Sequence, residues 1–124
     1  MTAVTSMPIL IVDDYNTMIR ILRNLLRQLG FDHIDEANDA PAALAKMRSK
    51  DYGLVISDAG MTPMSGFEFL QCVRADERLN RTPFLMVAND VSEGEAATGA
   101  SGYILKPFTA QSLKAKLAPV IGAF

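Results

Sequence analysis

Cysteine is nearly absent from this sequence. Cys72 is the only one, which excludes an internal disulfide and suits a reducing compartment. Basic charge is scarce as well. Twelve Lys and Arg stand against 14 Asp and Glu, for a net charge of −2 and a pI near 5.3. A general nucleic-acid binder needs a basic face, so that class is set aside, DNA included. No hydrophobic run approaches membrane-spanning length, and the start, Met1 to Ser6, lacks the basic and apolar segments of a signal peptide. Repeats, low-complexity tracts and interdomain linkers are missing too. What remains is one domain's worth of chain: 124 residues, 49% of them hydrophobic, enough for a packed core without staples. The expectation is a single domain over residues 1–124, cytoplasmic and monomeric, with no membrane contact and no output domain after Phe124.

The apolar residues fall into alternating strands and helices. Pro8–Val12 and Leu54–Asp58 are short, nearly unbroken apolar runs, as in strands buried on both faces of a parallel sheet. Ile34–Ala37, Phe84–Val87 and Tyr103–Leu105 read as three more. Asn16 to Leu29 has helical spacing, with Met18, Ile21, Leu22, Leu25, Leu26 and Leu29 on one face and Gly30 as the stop. Asp39 and Pro41 open a small helix from Ala42 to about Met47. Ser65 caps another through Phe67, Leu70 and Val73 to about Ala75. Thr109 caps the last, with Leu113 and Leu117, and Pro119 is expected to shorten it. Residues 88–102 contain Gly94, Gly99 and Gly102. They support only a short fourth helix, because glycine costs about 1 kcal/mol per helical site relative to alanine. Five βα units in succession predict a doubly wound parallel α/β sheet with helices on both faces.

Polar residues interrupt this pattern at the strands' carboxyl ends, where open α/β sheets bind ligands. The first strand ends in Asp13-Asp14, the third in Asp58, the fifth in Lys106-Pro107. A flavodoxin-like order, 2-1-3-4-5, would set strands one and three side by side, about 4.8 Å apart. Asp13, Asp14 and Asp58 would then crowd one pocket. Carboxylates so close need a proton or a cation among them. An all-oxygen cluster suits Mg²⁺, which keeps waters and takes a phosphate oxygen. Lys106 can reach across to a phosphoryl oxygen as a compact charge. Asp58 is then the candidate nucleophile of a phosphoryl-transfer site, forming an acyl phosphate. An Asp-Asp pair after a strand is ordinarily a cap and a turn, and a lysine before proline is ordinarily surface. It is their joint placement at matching strand ends that points to chemistry.

These residues carry a resemblance. Val12-Asp13-Asp14, Leu54 to Asp58, Met64-Ser65-Gly66 and Tyr103-Ile104-Leu105-Lys106-Pro107-Phe108 together resemble the response-regulator receiver domain, most of all single-domain receivers of the chemotaxis CheY type. The resemblance covers nearly the whole chain and implies the flavodoxin-like order above. It implies that Asp58 is the phosphoacceptor and that Lys106 contacts the phosphate. It implies that Asp13, Asp14, Asp58 and the backbone carbonyl of Gly60 hold Mg²⁺, and that the Lys106–Pro107 bond is cis. Its partners would be a histidine kinase or histidine phosphotransfer protein docking near the first helix, at Ile19, Arg20 and Arg23, and a flagellar-motor or other protein target. Beyond its own phosphorylation and dephosphorylation no enzyme activity is expected. The output is either a partner-binding switch or a phosphate sink.

The chain departs from that pattern in places. The family places Thr or Ser at the end of the fourth strand, where this sequence has Ala88, and alanine cannot hydrogen-bond a phosphoryl group. Ala88 and Tyr103 are the positions of the family's switch. Without the hydroxyl, Tyr103 is expected to turn inward whether or not Asp58 is phosphorylated. The segment before Lys106 is about one helical turn short, so the fourth helix is expected to be short or mobile. The order of Thr62 and Pro63 is reversed. A rival reading is a pseudo-receiver that binds a protein or a nucleotide second messenger independently of phosphorylation. Another, a phosphatase of the haloacid-dehalogenase type, needs a second Asp two residues after its nucleophile, where Gly60 stands. His33 is read as structural or exposed and Cys72 as a packing residue.

Overall fold

A computed structural model describes residues 4–124; residues 1–3, from the start considered above, lie outside the described residues. After a short 3-10 turn at Val4–Ser6, the elements follow in strict alternation. They are β1 (Ile9–Val12), α1 (Asn16–Gln28), β2 (Ile34–Ala37), α2 (Ala40–Ser49), β3 (Leu54–Asp58), α3 (Gly66–Ala75), β4 (Phe84–Ala88), α4 (Val91–Ala96), β5 (Gly102–Leu105) and α5 (Ala110–Ile121). All strand pairs are parallel, in the order β2-β1-β3-β4-β5. β1, β3 and β4 are buried along their whole length, as their unbroken apolar runs require.

Because strand side chains alternate between faces, the core forms on two sides of the sheet. Ile9, Ile11, Leu54, Ile56 and Val87 pack with α1 and α5 through Leu22, Leu26, Leu113 and Leu117. Leu10, Val12, Val55 and Met86 pack with α2 and α3 through Leu44, Met47, Phe69 and Leu70. Helix starts obey local chemistry. Asp39 accepts from the Ala42 N–H, and Ser65 and Glu68 form a reciprocal capping box, as do Thr109 and Ser112.

Two sequence expectations are corrected. Ile19 is 3% exposed and sits in the α1 core, whereas Ile21 is 42% exposed. At roughly 100° per residue, Ile19 lies about 60° from Leu22 around the helix and Ile21 about 100°, so burial favours Ile19. α5 also runs two residues past Pro119. A proline this near the end removes one hydrogen bond, and the Gly122 N–H still donates to the Ala118 carbonyl.

The fourth helix is short, as expected, and specifically seated. Asp90 accepts from the Glu93 N–H, and Glu93 in turn accepts from the Asn89 N–H. α4 lies so close to β5 that a β-carbon on Gly94 would overlap the Tyr103 ring. The ring packs against the α2–α3 side of the core, with the Lys116 ammonium 5.5 Å from its centroid. The following loop is tied to α3, where Arg74 Nε donates to the Gly99 carbonyl at 2.8 Å.

Gly94→Ala should therefore destabilise the fold. Overpacking costs about 1–3 kcal/mol and alanine's helix advantage returns about 1 kcal/mol, leaving a net loss near 1 kcal/mol. Urea unfolding measures it, and the Tyr103 ring resonances should shift strongly. A more stable variant with unmoved ring signals refutes the contact.

At the other end of β2, Asp35 accepts from the Tyr52 hydroxyl at 2.6 Å and from Lys50 at 3.0 Å. The Tyr52 bond, then the Lys50 bond, hold the Asp35 carboxyl below its usual range. A depressed folded-state pKa contributes stability above the unfolded value, near 3.8, that is lost as pH falls through the folded one. Asp35→Asn should thus be less stable than the parent at pH 7, with the difference closing below about pH 4. Thermal unfolding across pH checks this; a gap independent of pH contradicts it.

Candidate functional site

The register of β1 against β3 pairs Val12 with Ser57, which brings the next residues, Asp13 and Asp58, to the same level at the carboxyl end of the sheet. Both are buried, at 2% and 8% exposure. Asp58 uses both carboxylate oxygens. Lys106 Nζ lies 2.7 Å from Oδ1, and the Gly60 N–H donates to Oδ2 at 3.2 Å. The lysine is held in place by its backbone, whose N–H donates to the Ala88 carbonyl at 3.0 Å. The Lys106–Pro107 bond is cis, as the resemblance implied, and so is Thr62–Pro63.

Asp13 accepts from the Tyr15 N–H at 2.9 Å. Burial raises its pKa to about 6, against that hydrogen bond and the Lys106 charge and with help from the charges of Asp58 and Asp14. Asp14 is exposed at the rim. Among the described residues, no three carboxylate, imidazole or thiolate groups are gathered tightly enough to form a metal cage by themselves. The donor set is nevertheless all oxygen, and two of its carboxylates, Asp13 and Asp58, are buried at adjacent strand ends with Lys106 as the cation beside them. These residues fit a hard divalent cation that completes its shell with water and phosphate.

The loop after Asp58 needs its glycines differently. A side chain at Gly60 would meet nothing nearer than Asp58 Oδ2, at 3.9 Å, so the space beside the carboxylate is open. A β-carbon on Gly66 would fall onto the Asp58 carbonyl oxygen, so only glycine lets α3 start this close. The Gly66 N–H fastens that turn to the Ala59 carbonyl at 2.9 Å. Sequence reading quoted Gly66 without giving it this role; the signal was a glycine directly after the Ser65 cap. It also missed the Tyr15 N–H, a backbone group that no side-chain pattern announces.

Ala88 is fully buried at the end of β4, on the same face of the sheet as Tyr103, whose strand neighbour is Met86. Asp90 caps α4. On α1, Arg20 is exposed and Arg23 pairs with Glu36. Ile19 is not available to a docking partner because it is buried. The exposed apolar groups there are Tyr15 and Ile21, at 60% and 42%. His33 is exposed beside Asp32, and Cys72 is half-buried against the core, both as expected.

Comparison with known proteins follows this geometry closely. Residues 9–118 match the response regulator receiver domain. The chain is 46% identical over 115 residues to the chemotaxis protein CheY of Pseudomonas aeruginosa, covering 90% of this chain and 93% of that one. It superposes on chemotaxis protein CheY4 of Vibrio cholerae with a TM-score of 0.82 at 32% identity, over 93% and 98% of the two chains. The response regulator TrrA of Thermotoga maritima, solved with Mg²⁺ and a beryllium fluoride, gives 0.82 at 28% identity over 92% and 98%. With its five-stranded order, its paired acids and its lysine all in place, the chain belongs to the family of response regulator receiver domains.

Proposed function

We propose that this chain is a CheY-like phosphoacceptor of a two-component system. It takes a phosphoryl group onto Asp58 from a histidine kinase or histidine phosphotransfer protein. The observation that carries this is the buried Asp58 carboxylate, clamped by Lys106 and the Gly60 N–H beside a second buried acid. An Asp58 oxygen attacks phosphorus as the bond to the donor nitrogen breaks, and an acyl phosphate forms. Lys106 already touches the attacking carboxylate, so it is positioned for the charge that moves onto the phosphoryl oxygens. Asp13, Asp14, Asp58 and the Gly60 carbonyl are the residues that would hold Mg²⁺, which neutralises the transferring group. The open side of Gly60 admits water, so the acyl phosphate is short-lived and the state suits a sink or a fast signal.

The donor docks on α1. Arg20 offers a free charge, Tyr15 and Ile21 offer apolar contact, and Arg23 is engaged with Glu36. The output partner is a flagellar-motor or other protein target. Because Gly94 already seats Tyr103 and Ala88 lacks a hydroxyl, the response to phosphorylation runs through α4 and its loops.

Acetyl phosphate with Mg²⁺ should add one phosphoryl group, seen by mass spectrometry. Asp58→Asn should abolish it, and EDTA should reduce it at least tenfold. Label that survives either treatment sinks the assignment.

Docking and chemistry can be separated. An Arg20→Ala, Ile21→Ala double variant should accept phosphate from a phosphohistidine donor protein roughly tenfold more slowly, as expected when one charge and one apolar contact leave an interface. Its acetyl phosphate rate should be unchanged. Equal losses with both donors place the defect in the site and not in the docking face.

A further inference from the structure

We propose that a second binding site, for a small phosphate-bearing organic anion of nucleotide size, lies at the opposite end of the sheet from Asp58. A hollow of about 230 Å³ opens there between the α2–β3 and α3–β4 connections. Its floor is apolar, from Met47, Leu79 and Pro83, and its rim carries Lys50, Arg78 and Arg81 against a single acid, Asp51. Lys50 is already paired with Asp35, so the excess positive charge at the hollow is that of Arg78 and Arg81 facing Asp51.

The walls are fixed while two of the cations are uncommitted. Arg74 Nη1 donates to the Asn80 and Thr82 carbonyls at 3.0 and 2.7 Å. The Leu79 and Asn80 N–H groups donate to the Asp76 carbonyl, and the Arg78 N–H donates to its carboxylate. The loop bearing both arginines is thus held by bonds of its own. Lys50 and Tyr52 are anchored on the other wall by Asp35. Among the described residues, the guanidiniums of Arg78 and Arg81 and the Thr82 hydroxyl have no hydrogen-bond or ion-pair partner. A pre-formed hollow needs little ordering to bind. Paired guanidiniums match phosphate through parallel N–H···O bonds. The volume exceeds what phosphate alone fills, and the apolar floor accommodates the body of the ligand.

The test is titration of the isotopically labelled protein, without Mg²⁺ and at low salt, with AMP, adenosine and inorganic phosphate. AMP should shift the amides of residues 51–53 and 78–82 and bind more tightly than either fragment. Arg78→Ala and Arg81→Ala should each weaken it roughly threefold to tenfold, Asp51→Asn should tighten it, and added salt should weaken it. Asp58→Asn should leave it intact. Both arginines are exposed and unpartnered, so these variants keep the fold. Shifts centred on Asp58 and Lys106 overturn the proposal, as does adenosine or phosphate binding as well as AMP. An acidic peptide that binds where AMP does not assigns the hollow to a protein partner and overturns it as well.

Discussion

Two carboxylates buried side by side, with one lysine to offset them, are the constraint on which the rest of this structure turns. Asp13 and Asp58 end adjacent parallel strands, so the register that builds the core also forces their charges together. Like charges in a desolvated pocket favour a proton, a cation or both. Burial first, and the Asp58 charge after it, raise the Asp13 pKa to about 6, while the Lys106 ammonium, 2.7 Å from Asp58, pulls it down. A site left short of positive charge is one that a hard cation and a phosphoryl group together can complete. The electrostatic cost of the arrangement and its chemical use have the same origin.

That cost is borne by a rigid frame. β1, β3 and β4 are buried on both faces, so none can slip without moving its whole set of side chains to the wrong side. Gly66 lets α3 begin against the Asp58 carbonyl, and its N–H closes the turn on Ala59. The lower end is secured by different means. There Arg74 spans two loops through backbone carbonyls, leaving charged side chains free at the surface.

Much of this was readable in the order of residues. Unbroken apolar runs ending in Asp13, Asp58 and Lys106 predicted both the parallel sheet and the three strand ends that meet. Helix caps at Asp39, Ser65 and Thr109 were visible because their chemistry is local. What escaped was set by packing. Ile19 and Ile21 are equally hydrophobic, and a small angular difference around α1 decided between them. Pro119 stops a helix only where a lost hydrogen bond matters. The Tyr15 N–H and the seat that Gly94 makes for Tyr103 involve backbone groups and close approaches, which side-chain patterns do not report.

The seat of Tyr103 bears on how such a domain could signal. A phosphoryl group can shift an equilibrium only by interacting differently with its two states. At Ala88 there is no hydroxyl to reach for it, so the side-chain link between Asp58 and the fifth strand is missing. A backbone link remains. Lys106 joins the Asp58 carboxylate through its ammonium and the Ala88 carbonyl through its N–H. Moving that ammonium from carboxylate to phosphate would pull on the end of β4, from which the capped turn Asn89–Glu93 leads directly into α4. Since α4 closes over Tyr103 at Gly94, any tilt of the helix must move the ring or open a void beneath it, and close-packed interiors tolerate neither passively. Phosphorylation, if it is to be read out at all, would then be coupled through a helix pressed onto a tyrosine in place of a hydroxyl drawn to a phosphate, because alanine stands at 88 and glycine at 94.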